Sequence, residues 1–252
     1  MKRLLSLGLA ALMGSVAWAS SASQDATETL HNSAKVLTEI SQAPDKGIPE
    51  EVIARSKCII VIPHLVKAGV VVGGKHGTGV VVCRTSAESR NSSRTRKGAP
   101  EGWSAPALLT MTGGSLGAQI GAEGVDLVML AMNDKGLQQL LSNKIEYSLE
   151  GSVAAGPVGR HASVGSDSKL DTELLTYSRS KGAFVGQAVE GASMDPDKDF
   201  IKAIYGSDVD FKNILMGQVP VPAPAASFLQ VVANLSHNAA AQEAKQEEPK
   251  KQ

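Results

Sequence analysis

Across 252 residues, 25 basic side chains balance 25 acidic ones, so no global charge draws the chain to nucleic acid. Only 4% of residues are aromatic while 25 are Gly, which is poor for base stacking or sugar platforms and suits a tightly turned β structure. The length accommodates one large domain or two small ones.

The N-terminus reads as a secretory signal: Lys2 and Arg3, an uncharged apolar stretch from Leu4 to Val16, then Ala17-Trp18-Ala19 as a small-x-small cleavage site before Ser20. The apolar stretch falls short of the roughly 20 residues that a spanning helix needs. No Cys lies near the cut for lipid attachment, and no later segment reaches spanning length. The mature chain is therefore expected to be periplasmic or secreted, soluble or peripheral to a membrane. Ala26, Leu30, Ala34, Leu37 and Ile40 recur at helical spacing and predict an amphipathic helix over 25–41. A break at Pro44 and Gly47 follows, and Pro49 suits the first turn of a short helix through Ser56.

From Cys58 the period changes. The β-branched run Cys58 to Ile62, ended by Pro63, predicts a buried strand. Gly69 to Gly74 and Gly79 to Cys83 flank Lys75-His76-Gly77-Thr78, which reads as a hairpin turn. Ala107 to Thr112, Ser115 to Ile120 and Val125 to Met132 predict three further strands, separated by Gly pairs. Asp134 suits the N-cap of a helix through Leu141. Strands are expected again over 146–155, 173–180 and 183–190, and Asp195 or Asp197 opens a helix to about Tyr205. The basic stretch 85–100 reads as an exposed loop. Pro220 to Pro224 reads as a stiff linker before a short apolar helix, Phe228 to Leu235, and a disordered tail. The two cysteines, Cys58 and Cys83, favour a bridge in an oxidising compartment. A simple meander would hold them apart, so a bridge requires the first and third of these β segments to be neighbours.

Catalytic patterns are thin. Gly73 to Gly79 lacks the order of a phosphate-binding loop and lies between strands rather than before a helix. Gly113-Gly114-Ser115-Leu116-Gly117 also precedes a strand and is read as a turn. The five histidines are scattered, neither cysteine belongs to a C-x-x-C pair, and no G-x-S-x-G elbow occurs. No metal, cofactor or catalytic residue is assigned, and Met111, Met129 and Met132 are read as core filling. The residues alone predict an α+β fold: a β-rich antiparallel sheet or barrel-like core with N-terminal helices and a C-terminal helix.

One ordered set of motifs carries a resemblance. It starts with Lys57 to Pro63, Lys67-Ala68-Gly69, Gly73-Gly74 and Gly77-Thr78-Gly79-Val80. It continues through Gly102-Trp103-Ser104-Ala105-Pro106, Gly113 to Gly121, Asp126-Leu127-Val128 and Ala154 to Arg160. Tyr177 to Gly182, Gly186, Gly191-Ala192 and Tyr205-Gly206 close it. Together these resemble a SYLF domain over roughly 28–206, within a domain of 20–218 that lies between the 1–19 signal and a 219–252 tail. The resemblance is to the exported bacterial branch, in which the two cysteines tend to occur together, and this strengthens the expectation of a Cys58–Cys83 disulfide. It implies a non-enzymatic lipid-binding protein of the cell envelope, taking anionic phospholipid or a phosphoinositide-like headgroup. No SH3 or FYVE companion is read beside it, so the cytoskeletal role of eukaryotic members is not expected. The residues placed within or beside the motifs as a basic face are Lys57, Lys67, Lys75, Arg84, Arg160, Arg179 and Lys181. The alternative is a structural module that binds another envelope protein through Phe228, Leu229, Val232 and Leu235.

Overall fold

The structure, a computed structural model, describes residues 5–43, 47–85, 102–141, 147–154, 159–163 and 174–247. In chain order these form α1 (Leu5–Ser41), α2 (Glu50–Arg55), β1 (Cys58–Cys83), β2 (Ala107–Ala131), α3 (Asp134–Leu141), β3 (Tyr147–Ala154), β4 (Gly159–Ser163) and β5 (Leu174–Pro196). Then come α4 (Lys198–Tyr205), α5 (Phe211–Leu215), a 3₁₀ turn (Ala223–Ala225) and α6 (Ala226–Glu247). All strand pairs are antiparallel: β1 on β2, β2 on β5, with β3 and β4 both on the far side of β5. This is the expected α+β architecture.

The strands are longer and fewer than the glycine spacing predicts. The segments expected at 58–62, 69–74 and 78–84 are one strand of 26 residues, and the three expected between 107 and 132 are one of 25. Extended, β1 would reach about 85 Å at ~3.3 Å per residue, yet the Cα atoms of its end residues, Cys58 and Cys83, lie 4.0 Å apart and their sulfurs are bonded. The strand doubles back on itself. A Cβ on Gly69 would meet Gly73, one on Gly77 would meet Leu65, and one on Gly79 would lie 2.5 Å from the Val61 carbonyl oxygen. Arg84 N–H donates to the Lys57 carbonyl at 2.7 Å, closing the two limbs beside the disulfide. The first and third predicted segments are thus neighbours, as a bridge requires.

The reversal falls at 69–73 rather than at the expected 75–78 turn, which is extended backbone paired to β2. Glycine explains the difference. It lets one limb lie directly on the backbone of the other without leaving the ladder. β2 and β5 stay in register with one another along their whole paired length, so they follow the same bend.

Alternate residues of the doubled sheet face two cores. Cys58, Ile60, Ile62, Val81 and Cys83 pack with Ile201 of α4 and Ile214 of α5. Ile59, Val61, Val80 and Val82 pack against Leu30 and Leu37 of α1, Ile53 of α2 and Phe228 of α6. The predicted stripe of α1 is buried throughout, and so are Met111, Met129 and Met132.

Helix ends depart from expectation in detail. Pro49 is the N-cap of α2 rather than part of its first turn. Asn133 Oδ1, not Asp134, accepts the Gly136 N–H at the start of α3. Asp197 does cap α4, accepting from Phe200 N–H. The expected linker and short C-terminal helix are a 3₁₀ turn leading straight into a 22-residue helix that reaches Glu247. Phe228, Leu229 and Val232 are fully or almost fully buried, and that apolar contact draws the segment onto the domain. Of the expected loop over 85–100, all but Thr85 lies outside the described residues.

Candidate functional site: the far end of the doubled sheet

Near the helices both faces of β1 and β2 are covered, and nearly every residue there is apolar. Toward the bend the pattern inverts. Val66, Val70, Val71, Val72, Leu116 and Ile120 are each more than half exposed, while Lys67, Lys75 and Glu123 are buried. Lys67 and Glu123 are direct partners in the β1–β2 register, and their side chains form an ion pair at 3.2 Å. A strand with one wet face ordinarily turns its charges outward. Here the charges lie inside the fold and the valines outside.

A polar zone bounds the exposed apolar surface on the side of the helices. His64 and His76 are exposed, and Thr112 faces His76 across the β1–β2 ladder. Next to them Asp126 is almost fully buried and ties three elements together. It accepts from the His64 backbone N–H at 3.2 Å and from Arg179 Nε and Nη2 at 3.2 and 2.6 Å. Arg179 Nη2 also reaches Glu39 Oε2 of α1 at 2.6 Å. Burial works against the Arg179 charge, but its hydrogen bonds to Asp126 and Glu39 outweigh that and raise its pKa above the ordinary arginine value. His64 adopts a left-handed backbone conformation (φ 61°), which bends β1 where its N–H meets Asp126. Between α1 and this zone lies a cavity of about 670 Å³, lined by Lys35, Glu28, Asp25, His64, His76 and Arg179 among others.

The sequence-predicted cations are spread over the molecule. Lys57 pairs with Asp134 at 3.1 Å, near the helices. Arg84 caps the end of α2, donating to the Ser56, Ala54 and Ile53 carbonyls, and stacks on Trp103 at 4.6 Å. Lys67 and Lys75 are inside the doubled sheet. Arg179 holds α1. Arg160 and Lys181 are on β4 and β5, and their side chains lie outside the described residues. The described members of the set do not share one surface. The exposed valines carried no functional reading in the sequence, because a Gly-bounded valine run looks like the interior of a strand. The only clue was Lys67 and Lys75 alternating with it.

Among the described residues, no three His, Cys, Asp or Glu side chains are grouped to hold a metal, and no helix is long and apolar enough to cross a membrane. Residues 112–235, from the first third of β2 into α6, match the family described as Ysc84, Las17-binding protein actin regulator. The chain is 30% identical over 207 residues to SH3 domain-containing YSC84-like protein 1 of Homo sapiens, covering 79% of this chain and 56% of that protein. It is 30% identical over 197 residues to Protein YSC84 of Saccharomyces cerevisiae, covering 77% of this chain and 39% of that one. A similar likeness, 30% over 198 residues, links it to LAS seventeen-binding protein 3 of the same yeast, covering 77% and 40%. The chain thus spans about half the length, or less, of these relatives, one of which is named as a binding protein. No solved structure matches it. With the motif order and the match in agreement, the chain belongs to the Ysc84, or SYLF, domain family.

Proposed function

We infer that this SYLF domain is a non-enzymatic lipid-binding module that meets a membrane with the bend of its doubled sheet. The observation that carries the reading is the group of six exposed branched apolar side chains at that bend, with buried charges behind them. Transfer of one valine out of water favours binding by about 1.5 kcal/mol or more, so a few of them together suffice for reversible attachment. The site of action is read as outside the cytoplasm, in the cell envelope. The N-terminal signal pattern and the Cys58–Cys83 bridge support that placement.

A headgroup contribution from anionic phospholipid is kept in the reading as a secondary one. Lys57, Arg84 and Arg179 already have protein partners, and Lys67 and Lys75 are buried. Sedimentation with neutral and with anionic vesicles tests both parts. Wild type is expected to bind both, and the double variant Val70→Asn, Val72→Asn to lose at least about tenfold in partitioning. Negligible binding of wild type to either vesicle, or unchanged binding of the variant, would overturn the reading.

The family description favours a second reading, a protein partner. The expected route through α6 is largely taken up, since Phe228, Leu229 and Val232 pack inside the domain. A protein partner would therefore compete for the same exposed bend.

A further inference from the structure

The geometry points to insertion of the bend into a single leaflet, with the ring of His64, His76 and Thr112 stopping it at the membrane–water boundary and the valines meeting acyl chains. This rests on the membrane reading above and adds depth, orientation and the part of the lipid that is recognised.

Length is the first argument. From Val66 to Val71, at the turning point, β1 takes five steps of ~3.3 Å, a reach of about 16 Å. The hydrocarbon of one leaflet is about 15 Å thick, half of the ~30 Å core. The exposed apolar surface is therefore one leaflet tall. It ends where His64 and His76 stand exposed on the same surface as the valines.

Chemistry is the second. Between the large side chains the same outer surface exposes Ala68, Gly74, Gly114 and Ala122. Among the described residues, the charges of this half, Lys67, Lys75 and Glu123, lie inside, where Lys67 and Glu123 neutralise each other at 3.2 Å. Apolar outside and polar inside is the pattern of β structure that faces lipid. A partner that read headgroup charge would instead need the lysines outside.

The third argument is Val71. It sits at the turning point of β1 with φ 68°, a conformation that a β-branched residue enters only under strain, and its side chain is more than half exposed. Glycine would turn there without cost. Strained backbone of this kind clusters at sites that meet ligands, in keeping with a membrane contact here.

The test uses the full chain with Cys58–Cys83 oxidised and single variants Val71→Cys, Val66→Cys and Asp208→Cys, each carrying an environment-sensitive fluorophore. Phosphatidylcholine vesicles carry a quencher either deep in the acyl chains or at the headgroup. The label at 71 is expected to be quenched severalfold more by the deep quencher than by the headgroup one. The label at 66 should show the reverse order, and the label at 208, on the exposed segment between α4 and α5, should respond to neither. Vesicle binding with equal quenching at 71 and 208, or with 66 as deep as 71, would overturn single-leaflet insertion and leave the membrane reading standing. Absence of vesicle binding would overturn both. A shift of the 71 label that grows with protein concentration, without vesicles, would assign this surface to contact between copies of the chain instead.

Discussion

Tyr205 shows how much one hydroxyl does in this fold. Its Oη donates to the Pro106 carbonyl at 2.7 Å, joining the end of α4 to the segment that enters β2. Burial pushes the phenol pKa far above its ordinary value of 10.0. The protonated form is the one the fold favours, so this contribution is complete below pH 10 and is lost progressively as pH rises above it. Tyr177, raised by burial and by the nearby charge of Glu51, acts in the same direction. Tyr205→Phe is expected to cost about 1–2 kcal/mol at neutral pH, because the Pro106 carbonyl loses its donor. The same variant should flatten part, not all, of the decline in melting temperature on the alkaline side. Thermal unfolding followed from neutral pH to about pH 11 checks both effects. The motif Tyr205-Gly206 was legible in the sequence, but its reason was not. The hydroxyl's partner lies 99 residues away.

At the scale of elements, the doubled strand depends on where glycine stands. A methyl group on Gly79 would lie 2.5 Å from the Val61 carbonyl oxygen and 2.7 Å from Ile62, both in the core limb. Gly74 has nothing within 4 Å of such a group. Gly79→Ala is expected to destabilise by about 2 kcal/mol or more, as overpacking does. Gly74→Ala should be neutral, or stabilise by a few tenths to about 1 kcal/mol through the unfolded chain. Denaturant titration of the two variants separates them, and equal losses would mean that the two limbs do not pack as described. Element type was well marked in the sequence: the period of α1, the β-branched run after Cys58 and the Asp197 cap all lie where predicted. Element length was not. Gly pairs mark both turns and close backbone contacts, and only the partner limb tells which. That is why the glycine spacing predicts three short strands where one long strand bends.

For the whole molecule, the Cys58–Cys83 bridge closes the open end of the doubled sheet opposite the exposed bend. It spans 25 residues, and the chain-entropy model gives a loop of that size about 3–4 kcal/mol. Cys58→Ala, Cys83→Ala should therefore lower stability by about that amount, measurable by chemical unfolding. Wild type under reductant should move toward the variant. A variant as stable as the oxidised wild type would mean that the sheet closes without the bridge. Among the described residues, the apolar contacts of α1, α2 and α6 with the sheet lie at the bridged end. Among the described residues, the apolar interior on both sides of the sheet lies at this end, and the exposed valines lie at the other.

Composition and periodicity gave the α+β class, and the order of the motifs carried the resemblance to the SYLF family; that Cys58 and Cys83 meet was decided by the doubling of β1. The element types and each single motif are local, written in the spacing of a few neighbouring residues. Which side of each strand faces inward was decided only in three dimensions. Alternation alone says that Lys67 and Val66 lie on opposite sides, not which of them meets water. The bend that brings Leu65 over Gly77 encloses the lysine and leaves the valine outside.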